Sequence, residues 1–354
     1  MQKVIVGMSG GIDSAVAALM LKEQGYQVTG VTMSLFNPAY GDSDKTACFT
    51  STSKQNVENA AVLCRKLGIN HVVLDISELY EKTVLKNFKE EYLSGRTPNP
   101  CVWCNPLIKF GAMVDIAREK GLDFDYFATG HYARIEKLGE RYALKKGLDA
   151  AKDQSYFLYR LSQKQLSTTL FPLGSYTKDQ IRKIDLENGF HPENQTESQD
   201  FYSGPYSDLL GVEAKNGNIV DTKGKVLGKH NGMWNYTIGQ RRGLGIAADR
   251  PLYVIALRPS SNEVVVGYEE DTKNTVVTAT NVNWVSVAGL EKPVHAAAKI
   301  RSAGSVAPCT VSMLEDSRIQ AVFDSPVNAA TCGQSLVVYD NDTVLCGGII
   351  DSAN

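Results

Sequence analysis

Two short stretches carry residue types whose spacing could do chemistry. The first is Ser9-Gly10-Gly11-Ile12-Asp13-Ser14, preceded by the β-branched run Lys3–Val6 with Gly7 and Met8, and followed by the helix-forming residues AVAALMLKEQ. A strand, a glycine-rich turn and a helix N-terminus aim several backbone N–H groups and the positive end of a helix dipole at one spot, which suits a phosphate. Glycine lets the backbone approach such an anion closely. The lysine of a Walker A loop is absent, and so is the G-x-G-x-x-G spacing of dinucleotide folds. The second stretch is TPNPCVWCN, residues 97–105, which holds Cys101 and Cys104. A C-x-x-C pair can bind metal, form a redox disulfide or present one attacking thiolate beside a partner. No second pair is spaced to complete a zinc site. Pro98 and Pro100 argue against helix, so both thiols are expected on a loop.

The elements that must position these residues alternate over residues 1–130. Strand patterns at Gln27–Met33, Val72–Ile76 and Phe124–Ala128 are separated by helix patterns at Ser53–Leu67, Ser77–Leu93 and Ile108–Lys120. Alternation of this kind predicts an α/β domain with a parallel sheet covered on both faces. Ligands then gather at the carboxyl ends of the strands. The loop Ser9–Ser14, the segment Thr32-Met33-Ser34 and the segment Ala128-Thr129-Gly130-His131 all sit at such ends and could converge on one ligand. In Ser53–Leu67, Cys64 shares an apolar stripe with Val57, Ala60, Ala61 and Leu67, and reads as core. Residues 133–147 read as a hairpin, Lys152–Phe157 opens a helix, and Thr177–Asn188 is a helix with Thr177 as N-cap and Gly189 just past its end. Beyond about residue 191 short strand patterns take over: Ile219–Gly228, Tyr253–Leu257 and Glu263–Tyr268, then Val311–Leu314, Ile319–Phe323 and Ser335–Tyr339 in a small barrel. The expected division is residues 1–205, a central β-rich domain 206–275 and a β-barrel 276–354.

Composition narrows the setting. The 354 residues carry a net charge of −2, so no global basic field marks the chain as a polyanion binder. Charge is uneven, however: residues 223–258 hold seven lysines and arginines against Asp249 alone, whereas 276–354 hold four basic and seven acidic residues. Any polyanion contact is expected on the basic middle stretch and at the mouth of the first domain rather than on the terminal barrel. No run of 18 apolar residues is present and no signal peptide precedes the first strand, so a cytoplasmic chain with no membrane contact is expected. Seven scattered cysteines fit a reducing compartment better than a disulfide framework.

Taken together, SGGIDS resembles the loop of the ATP-pyrophosphatase superfamily, whose members cleave ATP between the α and β phosphates. SGGIDS, TPNPCVWCN, ATGHYARI, KDQSYFL, ESQDFY and YTIGQRRGLGI stand in the order found in tRNA-specific 2-thiouridylases, and the resemblance runs from residue 1 to about 270. It implies an adenine-nucleotide α-hydrolase-like N-terminal domain followed by the two β-rich parts. It also implies ATP at Gly7, Met8, Ser9, Gly10, Gly11, Asp13 and Ser14, with Met33 near the adenine, Gly130 closing the site, and Asp13 helping to hold Mg²⁺. The substrate is then a uridine of tRNA, at the wobble position, flipped into the pocket. Its O2 is adenylated, and a cysteine persulfide charged by a sulfur donor (a cysteine desulfurase or sulfur-relay protein) attacks C2. Cys104 matches the first catalytic cysteine of the family. RNA contacts are expected from Lys152, Asp153 and Gln154 and from Lys229, Gln240, Arg241 and Arg242.

The chain departs from the family at one position. A second catalytic cysteine usually stands two residues after Ser-Gln-Asp. Here Ser198-Gln199-Asp200 is followed by Phe201 and Tyr202, and a phenol cannot carry a sulfane sulfur. Three substitutes are open: Cys101 as the second thiol, an external reductant, or an iron–sulfur cluster on Cys101, Cys104 and a third ligand. Cys48, after the second strand, is the other cysteine expected near the site. An amidating synthetase, a sulfurtransferase for another RNA site and a non-catalytic RNA-binding relative are the competing readings. The first lacks an ammonia source, and the last has no need of an intact Ser9–Ser14 loop.

Overall fold

The computed structural model describes residues 1–35, 53–195, 202 and 206–354. Cys48, Ser198-Gln199-Asp200 and Phe201 lie outside the described residues. The chain forms two compact units. One contains Met1–Val84, Cys101–Ser203 and Asp342–Val344; the other contains Leu85–Pro100, Gly204–Asn341 and Leu345–Asn354.

The first unit is built on a parallel sheet. Its strands are β1 (Lys3–Gly7), β2 (Gln27–Ser34), β3 (Asn70–Asp75) and β4 (Tyr126–Ala128), with a hairpin β5 (Ala133–Leu138) and β6 (Arg141–Lys146) preceding the last strand, β7 (Thr169–Leu170). The sheet order is β3-β2-β1-β4-β7, all parallel. β1 is central, which is why Val4, Ile5 and Val6 are apolar without alternation: both faces are covered. Helix α1 (Ile12–Glu23) buries Ala15, Val16, Ala17 and Ala18, small residues that allow close packing on the sheet. Helix α2 (Ser53–Leu67) turns Ala60, Leu63, Cys64 and Leu67 inward. Cys64 is core as expected. Burial pushes its thiol up to about 11, and Gly30 of β2 must lack a side chain because a Cβ there would lie 2.6 Å from Cys64 Sγ.

The helix expected at Thr177–Asn188 is present as Lys178–Glu187. Thr177 and Gln180 close a reciprocal capping box, and Gly189 follows at φ +61°. Three expectations are corrected. Pro100–Cys104 is a helical turn, not a loop. Proline is well tolerated at the first helical position, where its missing N–H costs nothing and its fixed φ is already helical. The helix expected at Ile108–Lys120 begins earlier, as a π-helical stretch over Asn105–Ala112 that runs into Met113–Glu119. Gln165 Nε2 donates to the Pro106 and Phe110 carbonyls at 2.8 and 3.1 Å, satisfying groups that the wider turn exposes. The single strand expected at Ile219–Gly228 is a hairpin of the second unit.

In that unit, β8 (Gly217–Val220) and β9 (Val226–His230) pair antiparallel. Asp221 Oδ1 accepts from the backbone N–H of Lys223 and Lys225, and Gly224 supplies φ +84°, so a turn interrupts the strand pattern. With β10 (Tyr253–Arg258) and β11 (Glu263–Gly267) they form a four-stranded sheet in the order β10-β11-β8-β9. The strands β12 (Lys273–Trp284), β13 (Val294–Lys299), β14 (Ala307–Met313), β15 (Ile319–Asn328), β16 (Ser335–Asp340) and β17 (Thr343–Ala353) follow in the order β12-β15-β14-β13-β16-β17, and β17 pairs back with β12. That closure is the expected barrel. Val277, Val311, Phe323, Leu336, Val338 and Ile350 fill it. Cys309 and Cys346 are buried there with thiols pushed up to about 12, which makes them inert packing. Among the described residues no helix is long and apolar enough to cross a membrane.

Candidate active site

The loop Ser9–Ser14 leaves the carboxyl end of β1, and Thr129-Gly130-His131 leaves the carboxyl end of β4. These strands are neighbours, and the chain order reverses between them, so the two loops flank a topological switch point. Thr32, Met33 and Ser34 end the strand on the other side of β1, so the three segments expected to converge do lie on adjacent strand ends.

Gly11 is the N-cap of α1, extended at φ −107° and ψ 171°, and no side chain caps that helix. The first-turn N–H groups are therefore left for a ligand rather than spent on a cap. The loop braces itself from within. Ser14 Oγ donates to the Gly11 carbonyl at 2.9 Å and receives the Ser9 N–H at 3.2 Å. Thr32 Oγ1 donates to the Met8 carbonyl at 2.9 Å and lies 2.8 Å from His71 Nε2. Gly10 adopts φ +81°, and a Cβ there would meet Asn56 O and Asn59 Cβ at 2.9 Å. Glycine is required at that position for both reasons.

Asp13 is the most heavily engaged side chain of the loop. Its Oδ1 accepts from Tyr132 Oη at 2.7 Å and from Lys178 Nζ at 2.7 Å. Lys178 is buried, and its own N–H is bonded to Asp149 Oδ2 at 2.9 Å. Backbone donors hold the Asp149 carboxyl below the usual carboxylate range, the Lys178 N–H being the largest cause. Sequence reasoning missed Lys178 because 165 residues separate it from Asp13 and no periodicity encodes the pairing. Tyr132 stands inside ATGHYARI, where its spacing alone suggests no role. Gly130 fits against the start of α1 so closely that a Cβ would lie 2.7 Å from the Asp13 carbonyl carbon and 2.8 Å from its Cβ. Gly130→Ala is expected to push residue 13 out of register, destabilise the fold by about 1–3 kcal/mol and weaken nucleotide binding. Denaturant titration and nucleotide binding measured on the same protein check this, and unchanged values for both would contradict it.

The KDQSYFL segment joins the site from the other side. Gln154 Oε1 accepts the Tyr132 N–H at 2.9 Å. Asp153 accepts from the backbone N–H groups of Gly147 and Ser155 and from Ser155 Oγ. These bonds of Asp153 and Gln154 are internal, and they fix the turn that carries Lys152. The same segment reaches the cysteine turn. Asn105 Nδ2 donates to the Phe157 carbonyl at 2.9 Å, and the Arg160 guanidinium lies 4.0 Å from the Trp103 ring centroid. On that turn Cys101 is exposed and Cys104 is buried. Tyr202 is buried. His131 packs among Phe110 and Phe171; burial, with Lys109 adding to it, holds its pKa well below the ordinary histidine value, so the ring is neutral.

Lys229, Gln240, Arg241 and Arg242 belong to the second unit. Lys229 on β9 and both arginines are exposed. Gln240 instead braces its own turn, accepting from the Thr237 N–H at 3.0 Å and donating to the Arg242 carbonyl at 2.9 Å.

As for metals, two cysteines do not make the ligand set of a cluster. Among the described residues no group of three His, Cys, Asp or Glu side chains is placed to hold a metal ion. Asp13 spends Oδ1 on Tyr132 and Lys178. That arrangement suits Mg²⁺ carried in on nucleotide phosphates with one carboxylate in support, the usual way Mg²⁺ binds.

A parallel sheet whose first loop is glycine-built and leaves its helix uncapped at a topological switch point has the form of a nucleotide-binding α/β protein. The family model described as tRNA methyl transferase HUP domain matches residues 2–202, that described as tRNA methyl transferase PRC-barrel domain matches 210–268, and that described as aminomethyltransferase beta-barrel domain matches 274–350. The chain is 47% identical over 355 residues to the tRNA-specific 2-thiouridylase MnmA of Endomicrobium trichonymphae, covering 98% of each. It is 43% identical over 358 residues to the tRNA-specific 2-thiouridylase MnmA of Acetivibrio thermocellus, covering 99% of each. The chain belongs to the tRNA-specific 2-thiouridylase family.

Proposed function

We infer that this chain is a tRNA-uridine 2-sulfurtransferase that uses ATP. The observation that carries the reading is the meeting, within one unit, of the Ser9–Ser14 loop, the Thr129–Tyr132 segment, the KDQSYFL segment and the cysteine turn. The family models speak of methyl transfer and the relatives of 2-thiouridine. An adenylating loop with thiols on the same unit serves the second chemistry: one activates a carbonyl oxygen, the other delivers sulfur.

The loop amides and the α1 N-terminus would hold the ATP phosphates, with Mg²⁺ adding charge neutralisation when bound. Attack of uridine O2 on the α-phosphorus releases pyrophosphate and leaves AMP on O2. A persulfide donor transfers its outer sulfur to the Cys104 thiolate. The terminal sulfur of Cys104-S-SH attacks C2, and AMP leaves with the C–O electrons. The Cys101 thiolate then attacks the Cys104 sulfur, which closes a Cys101–Cys104 disulfide and frees 2-thiouridine. An external thiol reduces the disulfide for the next cycle, and a reducing cytosol suits such chemistry. This assigns Cys101 the work that Tyr202 cannot do. The wobble position is the expected target, and a cysteine desulfurase or relay protein the expected sulfur source.

Mass spectrometry of tRNA nucleosides from a strain lacking this chain tests the reading. The 2-thiouridine derivative should vanish and return on complementation. Its persistence at the wild-type level would contradict the assignment. For RNA binding we propose Lys229, Arg241 and Arg242, which are exposed cations on one basic stretch. Replacing all three with alanine is expected to weaken tRNA binding and flatten its salt dependence by about 0.7–0.9 units of slope for each phosphate no longer neutralised. An unchanged slope would leave them as solvated surface.

A further inference from the structure

Besides the Gly11 carbonyl, which Ser14 holds from within, two carbonyls of the phosphate loop are held by side chains from outside it. Thr32 holds that of Met8. The second is Gly10, whose carbonyl oxygen lies 3.1 Å from His191 Nε2. The other ring nitrogen, Nδ1, lies 2.8 Å from Asp185 Oδ1. The histidine side chain is 8% exposed and the aspartate 1%. Asp185 belongs to the helix Lys178–Glu187, whose first residue already pairs with Asp13. A carbonyl can only accept, so Nε2 donates its N–H to Gly10, while the hydrogen bond shared between Nδ1 and the Asp185 carboxyl group fixes the plane of the ring.

The consequence lies one peptide further on. In a planar trans peptide the C=O and the next N–H point in opposite directions, and no described peptide is cis. Drawing the Gly10 carbonyl toward His191 therefore turns the Gly11 N–H to the opposite side. Gly11 is the N-cap of α1, so its N–H joins the first-turn N–H groups that no side chain caps. Gly10 has no side chain of its own to hold this orientation and sits at φ +81°, where the peptide is otherwise loosely held.

We propose that His191, fixed by Asp185, is a positioning residue for nucleotide binding: it orients the Gly10–Gly11 peptide so that the Gly11 N–H donates to an ATP phosphate. This rests on the reading of Ser9–Ser14 as the ATP loop. The test measures the affinity of the intact protein for α,β-methylene-ATP with Mg²⁺, for tRNA, and the thermal midpoint, in wild type, His191→Ala and His191→Gln. Loss of one oriented donor is expected to weaken the analogue about tenfold in His191→Ala and leave tRNA affinity as it was. His191→Gln, whose amide can still donate to the Gly10 carbonyl, should recover most of the loss. Analogue affinity unchanged in His191→Ala would overturn the proposal. Parallel loss of analogue and tRNA affinity in both variants, with a lowered midpoint, would also overturn it, since His191 would then only support the fold. Failure of the wild type to bind the analogue would overturn the reading of the loop and this inference with it.

Discussion

Cys104→Ser is expected to transfer no sulfur to tRNA, while still releasing pyrophosphate in the presence of RNA. A serine hydroxyl cannot carry a sulfane sulfur, whereas adenylation, which we assign to the Ser9–Ser14 loop, needs no thiol. The two half-reactions should therefore separate in this variant. Cys101→Ser is expected to fail later. It can form the Cys104 persulfide and attack C2, but nothing on the chain then takes the Cys104 sulfur. A covalent protein–tRNA adduct should accumulate and be released by dithiothreitol. On one helical turn the Cβ atoms three residues apart lie about 5–6 Å from each other, against about 3.5–4.5 Å in a disulfide, so closing the bond needs a shift of about 1–2 Å. The turn Pro100–Cys104 is short and ends in a π-helical stretch, which favours such local adjustment. Tyr202→Phe should keep most of its activity. Gel electrophoresis with and without reductant, alongside thiolation of tRNA by each variant, reads all three. Full multiple turnover by Cys101→Ser without an adduct would remove Cys101 from the scheme and leave an external thiol as the resolving agent.

Asp13→Ala is expected to abolish RNA-dependent pyrophosphate release and also to weaken the fold. The second effect follows from the structure: Tyr132 Oη and Lys178 Nζ would both lose this acceptor. Removing the acceptor of a buried donor costs about 1–3 kcal/mol. Asp13→Asn separates the two roles. Its amide oxygen can still accept from Tyr132, so most of the stability should return, but the negative charge that faces Lys178, and that in the proposed mechanism would support Mg²⁺, is gone. Chemical denaturation and pyrophosphate release, measured for both variants, check this. Near-normal turnover by Asp13→Asn would reduce Asp13 to a structural acceptor.

The parts of this site that are legible from the chain are those written in local residue order. The Ser9–Ser14 loop needs glycine at residue 10 and a strand before it, and both are visible as letters. The helix after Thr177 announces itself by its cap, and the parallel sheet by β-branched runs spaced by helices. What stays hidden depends on partners far away in the chain. Nothing near Lys178, Tyr132 or His191 says that they meet Asp13 or Gly10, because those bonds span 165, 119 and 181 residues. The prolines of the cysteine turn mislead in a different way. Pro100 sits at the first helical position, where a proline starts a helix instead of breaking it. The split of Ile219–Gly228 into β8 and β9 is decided by one side chain, Asp221, bonding two backbone N–H groups that the strand pattern would have used.

The most direct test of the central claim is a reconstituted reaction with purified protein, ATP, Mg²⁺, unmodified tRNA and a persulfide donor, in which pyrophosphate and modified nucleoside are counted together. The expected result is 2-thiouridine in the tRNA and one pyrophosphate for each sulfur inserted, with AMP as the other product. ADP and inorganic phosphate as products, or pyrophosphate released with no sulfur entering the RNA, would contradict it.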